Sequence, residues 1–243
     1  MQIVRTLFGS RTHNLIYENK KWKEVINEIP DVPKYNEVVY VWGKENLNYI
    51  QKCGYDYRYV SDNTDFDFKY KLETLKLAYQ EFEEVLFLDW DVESELSEIE
   101  IKNLSFPNPC MPLYSYPKDF DFGVMPQKTS EDIENFSWKL NDNILVVPNA
   151  CLIYFKGFDL GSELISLHKK YNFSTLIEEF AFYKWTNCDL DKYINEYDCP
   201  HMNGRPDESK PFLIERSFGF EEVNTTIKLN NFIGKKTIHF KHI

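Results

Sequence analysis

The chain has 243 residues, of which 43% are hydrophobic and 16% aromatic, and its formal net charge is −11. That length suits one large globular domain, or one domain with an appendage, and it allows a real core. The acidic balance argues against a general polyanion binder, because nucleic-acid affinity rests mainly on basic patches that neutralise phosphates.

Lys20-Lys21-x-Lys23, Lys169-Lys170 and Lys235-Lys236 are candidates for a local basic patch and read by default as solvated surface. The 5 cysteines include no C-x-x-C pair. An odd count without such spacing speaks against a thiolate metal site or a disulfide framework and suits a reducing compartment. The first residues lack the shape of a signal peptide. No stretch is long and apolar enough to span a bilayer. A cytoplasmic protein is the expectation.

Ile3–Phe8 reads as a first strand, stopped by Gly9-Ser10. The small polar loop Gly9–Asn14 carries Arg11 and His13. It stands where a doubly wound sheet meets a nucleotide, although an ordinary turn would look the same. Trp22, Val25, Ile26 and Ile29 share a helical stripe, which predicts a helix over Tyr17–Ile29, ended by Pro30 and Pro33. Glu37–Trp42 is a second strand, broken by Gly43. Glu45–Cys53 is a short helix with Gly54 as its stop signal. Tyr57–Val60 is a third strand ending in Ser61-Asp62-Asn63, and Tyr70–Phe82 is a helix. Strands alternating with helices indicate a mixed, mostly parallel α/β sheet flanked by helices.

The next segment organises the rest. Val85-Leu86-Phe87-Leu88 is a continuous apolar run, short enough for a strand buried on both faces. Asp89, Trp90 and Asp91 follow at once. Residues two apart on an extended segment point to the same side, so both carboxylates leave the strand end together. Open α/β sheets bind ligands outside the carboxyl ends of their strands. Paired carboxylates repel unless a positive charge separates them, and a hard divalent cation, Mn²⁺ or Mg²⁺, does this while keeping room for phosphate oxygens. Polar residues that merely close a strand would give the same string.

A buried strand ending in L-D-x-D resembles the metal-binding motif of GT-A fold nucleotide-sugar glycosyltransferases, whose sheet is Rossmann-like. The order of elements up to Asp91 is similar to that family's nucleotide-binding half, here residues 1–93, with 94–243 as the acceptor-binding half of a single domain. The helix text KYKLETLKLAYQEF resembles the segment before the family's D-x-D, where a basic residue near the helix start faces the phosphates; Lys71 matches it. Phe8, Gly9, Arg11 and Asp62, at the ends of the first and third strands, are the implied nucleotide contacts.

The pattern weakens over Ser94–Leu140, where prolines interrupt it. Ile144–Pro148 and Asn149–Phe155 make one strand, or a pair kinked at Pro148. Asn149-Ala150 resembles the N-A-G segment of the retaining glycogenin and lipopolysaccharide galactosyltransferase type, in which the Asn helps hold the donor sugar. Cys151 stands where that group has Gly. Gly161–Tyr171 is an amphipathic helix, and Ser174–Trp185 another. Glu178-Glu179 occupies the place of the family's acidic pair. Thr175 and Glu178 also have capping-box spacing, which would make Glu178 a helix-start acid and leave Glu179 beside the donor sugar. The loop around His201, Asn203 and Arg205 reads as an acceptor-side loop or a plain connection.

Thr237–His242 is a last strand. Its His239-Phe240 resembles the family's H-F-x-G, where the His completes the metal site, although the Gly and the following K-P-W are missing. Alternation places Lys241 on the face of His239, toward the diphosphate. The resemblance thus implies Asp89, Asp91 and His239 around the metal, a nucleoside diphosphate sugar donor, and a saccharide or other hydroxyl acceptor. Three rivals stay open: a nucleotidyltransferase, a glycosyltransferase acting on a modified DNA base, and a non-catalytic binding module of the same fold.

Overall fold

The computed structural model describes residues 1–9, 12–17, 20–25, 32–63, 67–90, 92–94, 96–104, 106, 108–111, 113–117, 138–141, 144–148, 150, 152–173, 177–186, 201–202, 232–234 and 240–242. Its strands are β1 (Gln2–Leu7), β2 (Thr12–Tyr17), β3 (Lys20–Val25), β4 (Glu37–Trp42), β5 (Asp56–Ser61), β6 (Glu84–Leu88), β7 (Val92–Ser94), β8 (Leu113–Pro117), β9 (Trp138–Asn141), β10 (Ile144–Pro148), β11 (Leu152–Lys156), β12 (His201–Met202), β13 (Phe232–Gly234) and β14 (Phe240–His242). Its helices are α1 (Lys44–Ile50), α2 (Lys69–Glu81), α3 (Glu98–Lys102), α4 (Leu160–Tyr171) and α5 (Ile177–Trp185). Among the described residues no helix is long and apolar enough to cross a membrane.

The apolar run of β6 is buried from Val85 to Leu88. It lies inside a 5-stranded sheet ordered β11-β6-β1-β4-β5. β1 pairs in parallel with both β4 and β6, and β4 with β5. β11 runs antiparallel on β6, with Leu152 opposite Leu88. This is the mixed, mostly parallel α/β sheet that the alternation of elements predicts.

Two features of this order position the site. The chain moves outward from β1 to β4 and β5, then returns to the other side of β1 as β6. The carboxyl ends of β1 and β6 therefore flank the switch point of the sheet, where open α/β sheets form their ligand crevice. In addition, β11 runs backwards, so its first residue and Ala150 just before it lie at the same edge as Asp89.

Each face carries its own core. On one, Val4, Val38, Val85, Phe87, Ile153 and Phe155 are buried under α2, α4 and α5, which supply Leu72, Leu75, Leu164 and Phe180. On the other, Leu7, Val39, Val41, Ile50, Cys53 and Tyr55 pack together under α1. Thr74 of α2 is bonded to Thr6 of β1, Oγ1 to Oγ1 at 2.9 Å. That bond satisfies two buried hydroxyls and sets α2 against the strand that flanks the switch point.

The helix predicted over Tyr17–Ile29 is not what forms. Thr12–Tyr17 and Lys20–Val25 are antiparallel strands, with Tyr17 opposite Lys20 and Thr12 opposite Val25. β14 adds to them, with Phe240 opposite Glu24. Trp22 and Val25 are three apart, as on a helix, but Leu15, Ile16, Tyr17, Trp22 and Val25 are also good strand formers. Pairing partners decide in such a case. The loop after β1 therefore leads into a strand, not into the helix that a strand-to-helix phosphate loop needs. A second correction concerns 144–155. It is a pair of strands in different sheets: β10 pairs β8 and β9, while β11 joins the main sheet.

The close approach of α4 to α2 depends on Gly161. An added Cβ there would stand 2.3 Å from the Lys76 backbone nitrogen and 2.7 Å from its Cα. Gly161→Ala must push the two helices apart. We expect it to lower stability by about 1–3 kcal/mol, the range for overpacking a dense interface, read as a shift in urea midpoint with an unchanged slope. A variant as stable as the wild type would remove this contact from the account.

Candidate functional site

Asp89 is the first residue beyond β6, and its two sides are held by different neighbours. Its carboxylate meets Lys71 on the first turn of α2. Lys71 Nζ lies 2.9 Å from each Asp89 oxygen and 3.2 Å from Glu178 Oε1. Its backbone carbonyl accepts from Arg5 Nη1 at 2.6 Å, from the opposite face of the sheet. The next residue, Trp90, turns away from the carboxylate. Its indole N–H donates to the Thr6 carbonyl at 2.7 Å, and its ring lies under the Arg5 guanidinium at 5.1 Å.

Lys71, Glu178 and Glu179 are buried, with 7%, 1% and 8% of their surface exposed. Long charged side chains are seldom that enclosed unless paired. α2 and α5 bring them together: α5 packs on α4, which packs on α2 across Gly161. Glu179 Oε1 accepts from the Ala150 N–H at 3.4 Å, which ties α5 to the start of β11. The second oxygens of Glu178 and Glu179 find no hydrogen-bond partner among the described residues. Buried polar atoms left this way mark places for water, an ion or a ligand.

Electrostatics follow from this crowding. Burial pulls the Lys71 ammonium down, but the carboxylates of Asp89, Glu178 and Glu179 outweigh it and hold its pKa above the usual lysine value. Burial pushes the Glu178 carboxyl up; Lys71 opposes the rise and Asp89 adds to it. Glu179 is pushed up to about 8, by burial first and by Glu178 next, against the pull of Lys71. A Lys71 ammonium held by three carboxyl groups leaves the site short of positive charge.

Of the nucleotide-side candidates, Phe8 and Gly9 follow the carboxyl end of β1 and Asp62 that of β5. Phe8 packs against Phe68 and Tyr70, ring centroids 6.1 and 5.7 Å away. Gly9 has φ of 70°, a left-handed turn that suits glycine. Its carbonyl accepts from buried Asn46 Nδ2 at 2.9 Å, and the same nitrogen reaches the Trp42 carbonyl at 2.8 Å. Asn46 thereby ties the carboxyl ends of β1 and β4. Asp62, at the end of β5, is exposed, pairs with Lys44 at 3.0 Å and accepts from the Tyr59 hydroxyl. Lys241 lies in β14, opposite Lys23 of β3. Arg11, Asp91, Asn149 and His239 fall outside the described residues. Among the described residues no three His, Cys, Asp or Glu side chains converge as a metal site.

Glu178 stands in the first turn of α5, where a helix-start acid belongs, and Lys71 also engages its carboxylate; Thr175 falls outside the described residues. Lys71 is buried and faces Asp89 and Glu178. Arg5, Glu37 and Asn46 have no counterpart in the sequence reading. The one available signal was a lone Arg and a lone Glu in strands otherwise apolar enough to be buried, since buried charges come paired.

No family model matches the chain, and no curated protein does. Solved structures that resemble it include the following two. HddC from Yersinia pseudotuberculosis is 10% identical, with a TM-score of 0.32 over 65% of this chain and 77% of that one. CMP:2-keto-3-deoxy-manno-octonic acid synthetase complexed with CTP is 8% identical, with a TM-score of 0.36 over 83% and 88%. At these values neither likeness carries an argument about what this chain does.

The raised Glu179 gives a pH signature. Its ordinary value of 4.5 applies to the unfolded chain and about 8 to the folded one. The folded state therefore holds more protons in between, and stability falls as pH rises through that window. Glu179→Gln, neutral throughout, should flatten the fall. Its urea midpoint should gain on the wild type from pH 5 to 8.5. Parallel profiles for the two proteins would show that Glu179 does not titrate in this way.

Proposed function

We propose that the chain is a metal-dependent glycosyltransferase that moves a sugar from a nucleoside diphosphate sugar to an acceptor hydroxyl, with retention of configuration. One observation carries the reading. At the switch point of the sheet, the Asp89 carboxylate stands beside a buried Lys71 that Glu178 also engages, with Glu179 next to it and carboxylates in excess.

The chemistry of the donor set suits a hard divalent cation, because around Asp89 the carboxylates outnumber the positive charges. Asp89 would hold Mn²⁺ or Mg²⁺ together with Asp91 and His239. When bound, the ion neutralises the charge that grows on the departing diphosphate. Phe8, Gly9, Arg11, Asp62 and Lys241 would serve the nucleotide side, and Asn149 the donor sugar. In the transfer, the bond from the anomeric carbon to the diphosphate oxygen breaks, the acceptor oxygen bonds that carbon, and the acceptor proton leaves with the diphosphate.

Glu179 has a specific part in this. Glycosyl transfer builds positive charge on the sugar ring, which needs negative charge nearby. A positive charge developing beside Glu179 lowers its pKa, so the carboxylate becomes ionised as the need for it arises. Lys71 keeps Glu178 and Asp89 in place meanwhile.

Thermal shift with a panel of nucleoside diphosphate sugars, with and without Mn²⁺, tests the binding half, since a ligand of the folded state raises apparent stability. At least one donor should raise the midpoint only when Mn²⁺ is present. Asp91→Asn should remove that shift and abolish nucleoside diphosphate release while leaving the unliganded midpoint within about 1 °C, as for a surface change. A shift that survives chelation would overturn the metal role. Release of pyrophosphate from a nucleoside triphosphate and a sugar phosphate, with no nucleoside diphosphate from any sugar donor, would assign nucleotidyl transfer instead.

A further inference from the structure

The carboxylate face of Asp89 is accounted for by Lys71 and the acids around it. The opposite face is not, and it contains a second buried charge. Arg5 and Glu37 lie on adjacent strands, β1 and β4, with side chains 7% and 2% exposed and Arg5 Nε 2.5 Å from Glu37 Oε2. Arg5 also meets one short segment: Nη1 donates to the Asp89 carbonyl at 2.6 Å, and the guanidinium lies over the Trp90 ring. Trp90 is fixed further by its bond to the Thr6 carbonyl and by an edge-on contact with Tyr55 at 5.6 Å.

This is an expensive arrangement for stability alone. A buried ion pair rarely outperforms apolar side chains of the same volume, and both flanking strands are otherwise built from such residues. An apolar residue at position 5 could fill the space. It could not donate to the Asp89 carbonyl, which is the first backbone acceptor beyond the β6 ladder. Arginine does so with a fork that its partner keeps planar and aimed.

We propose that Arg5, oriented by Glu37, is a positioning residue for Asp89 and Trp90: it holds the Asp89 carbonyl and the Trp90 ring, and so fixes where the Asp89 carboxylate presents itself to a divalent cation. This rests on the metal reading above for its functional half. Its structural half stands on the contacts themselves.

Two variants test it. Arg5→Lys keeps the charge and loses the fork. The pair Arg5→Met with Glu37→Gln removes the ion pair without leaving either charge orphaned. Two readouts separate the halves. The first is hydrogen exchange by mass spectrometry over residues 84–94, with peptides from β4 and β5 as internal reference. The second is direct titration of Mn²⁺ in the presence of a nucleoside diphosphate. Both variants should exchange faster in the 84–94 peptide while the reference peptides keep wild-type rates. Their Mn²⁺ affinity should fall about ten-fold or more, the usual effect of losing a residue that orients a ligand. Asp91→Asn should abolish Mn²⁺ binding outright and leave exchange at Trp90 unchanged.

Wild-type exchange and wild-type Mn²⁺ affinity in both variants would overturn the proposal. So would faster exchange spread evenly over the sheet, which marks a merely structural pair. If the wild-type protein itself binds no Mn²⁺, the metal reading fails, and exchange alone then decides: local acceleration supports Arg5 as the residue that holds Asp89 and Trp90, and no acceleration removes it.

Discussion

Lys71 sits on the first turn of α2 with its ammonium enclosed by Asp89 and Glu178. An ammonium loses most of its hydration in such a place, and only close carboxylates make the position tolerable. Those carboxylates come from other elements, one from the end of β6 and one from α5. The network therefore requires α2, α5 and the β6 end to close on one another. A positive charge also stands poorly at a helix start, where the first turn of α2 has no acidic residue to offset it. Every local term disfavours Lys71 where it is. The tertiary partners reverse that balance, which is the pattern expected of a site and not of a packing element.

The helices themselves are held by apolar contacts. Leu72, Leu75 and Ala78 anchor α2, and Gly161 lets α4 lie against its backbone. Phe180, Ala181 and Phe182 bury α5 on the same core. This division matters for reading substitutions. Apolar and glycine changes move α2 and α5 as bodies and act on stability. Changes among the charged groups act on where a few oxygens point, and on stability too wherever one partner of a buried pair is removed and the other is left charged.

Much of this was legible in the chain. The run Val85–Leu88 read as a short buried strand, and Asp89 just beyond it lies at the carboxyl end of β6 as expected. The helix that carries Lys71 had clear apolar spacing. What escaped was decided by partners far along the sequence. Residues 12–25 satisfy both helical and strand patterns, and pairing with β14 settles the matter. Glu178 matches a capping spacing with Thr175, a purely local rule that gives no hint of its further partner Lys71 on α2. Arg5 is the hardest case: one arginine in Gln2–Leu7 looks like a polar interruption until Glu37 and the Asp89 carbonyl are brought to it.

Charge counting ties these parts together. With Asp89, Glu178 and Glu179 around one ammonium, full ionisation would leave two negative charges in excess. The protein meets this in part by keeping Glu179 near neutrality at ordinary pH. A cation held by Asp89, as proposed, would compete with Lys71 for the same oxygens and leave the ammonium to the glutamates. Lys71 would then stabilise their ionised forms more strongly, and Glu179 would be a better carboxylate. Under the proposed function, loading of the metal side and ionisation at the sugar side are thus one coupled equilibrium, with Lys71 as the link. Each event makes the other easier by the same free energy, as linkage between two sites requires.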